Sequence, residues 1–146
     1  MPGLTEILLA LALTGGSHEM GHQVEADRLN QPLNWQGTHW TTPASGDDLA
    51  KISGAGFEMQ DTINQATDNS VMGDINALHK LSYVAKDRGD LRSIEKSMGK
   101  KARQVAQGSL VASAISDFLR KPGSNYGLNY GQSSRGTPML MLQGRF

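Results

Sequence analysis

A chain of 146 residues with 38% hydrophobic and 5% aromatic content has room for one modest domain and too few bulky side chains for a deep core of its own. It has no cysteine, which excludes disulfides and thiolate metal ligands. The 14 Lys/Arg and 14 Asp/Glu cancel overall, yet residues 1–87 hold 4 basic against 11 acidic side chains and residues 88–146 hold 10 against 3. That asymmetry fits docking between copies, or of the basic half onto phosphate, as well as it fits neutralisation within the fold.

In chain order, residues 3–29 read as a first helix. Leu4, Leu8, Leu11, Gly15, His18, His22, Glu25 and Leu29 recur at steps of four and three, so one stripe runs from an apolar half into a polar one. Gly15-Gly16-Ser17 is its weak point, where a break and a fresh start are as reasonable as continuity. The run from Leu4 to Leu13 looks like a secretory core, but its flank has no Lys or Arg and Glu6 is acidic, which argues against a signal. It is also too short to span a bilayer. Insertion of this helix end into a membrane or an assembly stays open.

Residues 30–46 form a connector punctuated by Pro32, Gly37, Pro43 and Gly46. Trp35 and Trp40 fall inside it and are expected to cap a core or meet a partner; His39 reads as a loop histidine. A helix over 47–66 follows, with Leu49, Ile52, Phe57, Met59 and Ile63 as apolar positions and a kink expected at Ser53-Gly54-Ala55-Gly56. Residues 70–86 make a cleaner helix, with Val71, Ile75, Leu78, Ser82 and Ala85 on one face.

Gly89-Asp90 marks a stop and a fresh cap, and helix resumes over 90–120 with an interruption near Gly99. Arg92, Lys96, Lys100 and Arg103 make a basic stripe, which suits a solvated face or phosphate contact; no aromatic side chains interleave it to favour nucleic acid. Gly108, Ala112 and Ser116 then recur every four residues, a spacing that lets two helix backbones approach closely. Residues 1–122 therefore form one helical domain, mainly α, with 123–146 as a Gly-rich extended tail. That tail is expected to be disordered unless a partner holds it, and to close in an edge strand at Met139–Leu142.

The stretch that carries chemistry is Ser17-His18-Glu19-Met20-Gly21-His22. Histidines four apart lie on one face of a helix, a spacing that can hold zinc, with a glutamate next to the first. Over residues 17–27, with Ala26 four positions after His22, the chain resembles the active-site helix of gluzincin-type zinc metallopeptidases. The resemblance implies that His18 and His22 are zinc ligands, that Glu19 is the general base, and that Gly21 lets another backbone pass close by. A catalytic zinc takes a third protein ligand, in that family an acidic residue. Glu25, next on the same face, is the first choice; Glu58, Asp61 and Asp74 are others, and His79 an outside one.

Two functions follow. The first is a subunit of a larger assembly, buried through Leu4, Leu8, Leu11 and the Gly108/Ala112/Ser116 row against several copies, protein partners or a membrane. In composition the chain resembles small accessory proteins of tailed-phage virions, which implies a virion or host-cell location. The second is a small zinc metallopeptidase working through the HEMGH helix.

Overall fold

Five helices and two β-hairpins make up the computed structural model, which describes residues 2–37, 39–67, 69–86 and 89–119 and the backbone of the strands Tyr126–Gln132 and Pro138–Gly144. The fold is mainly α, as the sequence implies. Helix α1 (Leu4–Arg28) runs unbroken through the paired glycines. Thr14 and Ser17 are buried there, and the Ser17 hydroxyl donates to the Thr14 carbonyl at 3.1 Å, so packing overrides weak helix propensity. The helix stops at Asn30, which takes the left-handed conformation at φ 58° while the Gln31 amide closes onto the Ala26 carbonyl at 2.9 Å.

The connector contains a short hairpin, β1 (Asn34–Gln36) with β2 (His39–Thr41), in which Trp35 stands opposite Trp40. Helix α2 (Gly46–Thr67) then returns along α1 without interruption. The small residues Ser53–Gly56, where a kink was expected, instead let the two helices meet. A Cβ on Gly21 would run into the Ala55 carbonyl and stand 2.8 Å from Met59 Cβ, which is the close approach that the motif implies for this glycine.

Helix α3 (Ser70–Lys86) runs back beside α2. Its cap is Asn69, whose side-chain oxygen accepts from the amides of Val71 and Met72 at 2.8 and 3.3 Å. The expected apolar face of α3 is not the buried one: Leu78 is exposed, whereas Met72, Gly73, Asn76, Ala77 and Lys80 are buried. The interruption expected near Gly99 divides the 90–120 stretch into two helices, α4 (Asp90–Met98) and α5 (Lys100–Leu119), turned at Gly99 with φ 90°. Helix α5 packs on α3 along Ser109, Ser113 and Asp117, one position on from the predicted row; a Cβ on Gly73 would come 2.9 Å from the Asp117 carbonyl oxygen. Gly108 is exposed and a Cβ there would meet nothing.

The C-terminal tail, expected to be disordered without a partner, contains the hairpin β3 (Tyr126–Gln132) and β4 (Pro138–Gly144), antiparallel with Tyr126 opposite Gly144. The predicted edge strand Met139–Leu142 lies within β4; the stop expected at Pro122-Gly123 lies outside the described residues.

Two apolar clusters flank the bundle. Phe57, Leu91, Ile94, Ala106 and Leu110 join α2, α4 and α5, and Ala26, Ala44, Leu49 and Ile52 join α1 to the start of α2 under Trp40. Many of the other buried side chains are polar, including His18, His22, Gln60, Asn64, Asn76, Lys80 and Ser113. Leu4, Leu8 and Leu11, expected to meet partners, are exposed in the single chain, and in the first half of α1 only Ala10 and Thr14 are buried.

Candidate metal centre

The i, i+4 spacing on α1 delivers both imidazoles to the seam with α2. Gly56 makes room for them: a Cβ there would stand 2.7 Å from His22 Nε2 and 2.8 Å from His18 Cε1. The third member comes from the start of α4. Gly89 turns the chain with φ 67°, and Asp90, the first residue of α4, lies buried beside both rings. Its Oδ2 lies 3.0 Å from His18 Nε2 and 3.3 Å from His22 Nε2, and the two Nε2 atoms are 3.1 Å apart.

The outer side of each ring decides what these three atoms can be. His22 Nδ1 lies 2.7 Å from the Ile52 carbonyl, which can only accept, so Nδ1 carries the hydrogen. His18 Nδ1 lies 2.8 Å from Gln60 Oε1 and donates to it in the same way. With both Nδ1–H groups committed outward, the two Nε2 atoms and the Asp90 oxygen turn three lone-pair acceptors toward one point. Tyr83 Oη, 3.2 Å from His18 Nε2, is the only hydroxyl recorded against the trio among the described residues. Three converging acceptors in a dry interior repel one another unless a cation sits among them or a histidine takes a proton that its Nε2 donates to Asp90. Ligand atoms around a tetrahedral ion with bonds of about 2.0–2.1 Å stand roughly 3.3 Å apart, close to the observed separations. The donor set of two neutral imidazoles and a carboxylate, each imidazole held by a carbonyl behind it, suits zinc. His18, His22 and Asp90 are the group among the described residues that could hold a metal ion.

Without an ion, the electrostatics of the trio are those of a histidine–aspartate pair. Burial alone would lower the His22 pKa, but the charge and hydrogen bond of Asp90, the Ile52 carbonyl and the charge of Glu19 outweigh it and raise the value. Burial likewise pushes Asp90 up, and the two histidines reverse this, holding its carboxyl well below the usual range. The site favours positive charge.

Around the trio lie Phe57, 4.7 Å from the His18 ring, Trp40, 4.9 Å from the His22 ring, and the half-buried His79 and Tyr83 from α3. His79 is pushed down to about 4, first by burial and then by the charge of His18, so it is neutral at pH 7. Its Nδ1 is buried with no hydrogen-bond partner among the described residues. Glu19, whose charge helps raise His22, is half-buried, and its Oε2 is likewise buried and unpartnered.

The candidate residues therefore divide. His18 and His22 come together, with Glu19 beside them. Glu25 does not join them: its carboxylate is taken by Arg28 through two hydrogen bonds. Glu58 lies on the α1–α2 flank, raised to about 7 by burial and by Glu25 and Asp61. Asp61 pairs with Lys80, and Asp74 is exposed. His79 packs on His18 outside the trio. His39 is exposed and bonds to Gln36 at 3.1 Å. The basic stripe is split by the corner at Gly99, with Arg92 and Lys96 on α4, Lys100 and Arg103 on α5, and Arg103 paired to Glu95. Sequence reasoning missed Asp90 as the third member of the group that could hold a metal, Gln60 as the partner of His18, and Tyr83. The Gly-Asp step at 89–90 is the one local signal that an acidic residue is being set at a chain reversal. No protein-family model, curated protein or solved structure matches this chain, so the site stands on its own geometry.

Proposed function

We propose that this protein is a zinc-dependent hydrolase of amide bonds, with His18, His22 and Asp90 as metal ligands and Glu19 as general base. The observation that carries the reading is the convergence of three acceptor atoms at 3.0–3.3 Å, with both imidazole Nδ1–H groups committed elsewhere. A zinc ion held by His18, His22 and Asp90 would supply Lewis acidity and lower the pKa of a water at the site. The chain's own residues supply the rest. Glu19 follows His18 directly, and its unpartnered Oε2 is available to take the proton that the attacking water gives up and to pass it to the leaving amine. Tyr83 Oη and the neutral His79 stand on the α3 side, where an O–H and an N–H can meet negative charge growing on the substrate carbonyl oxygen. Trp40 and Phe57 keep water from the rest of the site.

The test is metal analysis of the purified protein together with an unspecific peptide-hydrolysis assay. One equivalent of zinc, lost in His18→Ala and kept in Glu19→Gln, with hydrolysis lost in both, is the expected result. A folded protein that takes up no zinc at micromolar concentration would refute the reading.

A second reading has an observation of its own. Leu4, Leu8, Leu9 and Leu11 are 50–73% exposed and spread around the first half of α1, more apolar surface than one isolated helix end ordinarily leaves to water. In this reading the chain is a subunit of a larger particle, such as a phage virion, built from several copies. No helix of the described residues is long and apolar enough to cross a membrane. Sedimentation of wild type against a Leu8→Ser/Leu11→Ser variant checks it: assembly lost in the variant supports a subunit, and a monomer in both cases removes the reading.

A further inference from the structure

Behind His18 the buried polar side chains form a single hydrogen-bonded line. His18 Nδ1 donates to Gln60 Oε1 at 2.8 Å, and Gln60 Nε2 donates to Asn76 Oδ1 at 2.6 Å. Asn76 Nδ2 then donates to two carboxylates, Asp61 Oδ1 at 2.8 Å and Asp117 Oδ2 at 2.9 Å. The line ends on Lys80, whose ammonium bonds to those same two oxygens and, at 2.6 Å, to Ser113 Oγ. Gln60, Asn76, Lys80 and Ser113 are at most 1% exposed, so water cannot stand in for a missing partner.

Both amides on this line could be turned end for end without changing their shape; only their partners fix them. Ionised carboxylates accept and never donate, so Asn76 must present its NH2 to Asp61 and Asp117, which leaves its oxygen facing Gln60. Gln60 must then present its NH2 to Asn76, which leaves its oxygen facing His18. A carbonyl oxygen facing Nδ1 requires the hydrogen on Nδ1, which in the neutral ring leaves Nε2 bare. Turning either amide sets oxygen against oxygen in a buried place, which costs about 1–3 kcal/mol per unsatisfied group. We infer that Gln60 and Asn76 are positioning residues: they carry the orientation set by the Lys80–Asp61–Asp117 cluster to His18 and hold that imidazole in the tautomer that presents Nε2 to a metal. The line acts through His18 and touches neither a metal nor a substrate. Its value to zinc rests on the reading proposed above, whereas the tautomer does not. His22 has no such line, because its Nδ1 is held by the Ile52 backbone carbonyl, whose direction the helix already fixes.

The experiment reads the two separately. In 15N-histidine-labelled, metal-free protein, NMR shows which ring nitrogen of His18 carries the hydrogen, and zinc titration gives the affinity. Wild type is expected to show Nδ1–H at His18. Asn76→Leu frees the Gln60 amide and is expected to give a mixture with Nε2–H, with zinc binding weakened about 10–100-fold. Gln60→Leu is expected to do the same. Gln60→Glu keeps an acceptor against Nδ1 while setting an oxygen against Asn76 Oδ1; it is expected to lose stability yet retain the Nδ1–H tautomer and zinc affinity within a few-fold, a rescue that a purely structural role would not give. Should Asn76→Leu fail to fold, Asp117→Asn leaves the size unchanged and removes one of the two acceptors that orient Asn76; part of the tautomer shift is then expected. Folded variants with His18 still wholly Nδ1–H overturn the line and leave the zinc reading untouched. A wild type that shows the tautomer and its shift but takes no zinc overturns the zinc reading and leaves the line standing.

Discussion

Two buried acidic centres lie at opposite ends of the Gln60–Asn76 bridge, and they differ in where positive charge comes from. At one end Asp61 and Asp117 close on the ammonium of Lys80, a cation built into the chain. At the other, Asp90 meets two imidazoles whose Nε2 atoms are acceptors while the rings are neutral, and no lysine or arginine is paired with it among the described residues. Both are equally dry, and a dry carboxylate without a cation is expensive. The contrast shows that burial and acidity do not by themselves make a ligand site. The sign of the neighbours does: one centre carries its cation in the chain, whereas the other gains positive charge only when a histidine is protonated or, in the reading proposed above, when a metal ion binds.

The comparison can be broken first at the complete centre. Lys80→Met leaves two buried carboxylates facing each other and is expected to cost about 3–5 kcal/mol in urea unfolding; a loss under 1 kcal/mol would mean that the Lys80 cluster is not the anchored one. The incomplete centre should respond in the opposite sense to added cation. Zinc at a hundred times its dissociation constant is expected to raise unfolding stability by about 2.7 kcal/mol, and Asp90→Ala should abolish that gain. Equal stabilisation in Asp90→Ala would place the zinc elsewhere. Gly56→Ala forces a methyl to within 2.7 Å of His22 and is expected to cost about 1–3 kcal/mol; zinc binding should weaken with it, read by the same titration.

The α1–α2 flank gives a smaller, pH-dependent effect. Glu58 is raised to about 7 in the fold, from an ordinary value of 4.5, by burial and then by Glu25 and Asp61. Between those values the folded chain holds a proton that the unfolded chain has released, so this group's contribution is full below about 4.5 and is lost as pH rises through about 7. Glu58→Gln is therefore expected to gain stability relative to wild type as pH rises from 5 to 7.5, measured by thermal melts at each pH. Smallest of all, Leu8→Ser is expected to change monomer stability by no more than about 0.5 kcal/mol, since Leu8 is 56% exposed.

The helices were legible because Gly, Pro and Asp mark their ends, and the His18/His22 pair was legible because i, i+4 spacing has one geometric meaning. The helix faces were not. On α3 the apolar residues Val71, Ile75 and Leu78 point the eye to the wrong side, because the interior there is built from Asn76 and Lys80 and reads as a solvent face. On α1 the same rule fails in reverse: the leucines lie outside and the histidines inside. Asp90 lies 72 residues from His18, and no local pattern separates it from an ordinary helix-start aspartate. Only the fold brings that residue to the rings.

The small hairpin at residues 34–41 has a practical consequence. Trp40 lies with its ring centre 4.9 Å from that of His22, while Trp35 is 40% exposed with its indole N–H bonded to Gln23. The chain thus carries two indole fluorophores, one against a proposed ligand and one in water. Its own emission should serve as an optical gauge of occupancy, with a paramagnetic ion such as cobalt dimming the inner ring and sparing the outer.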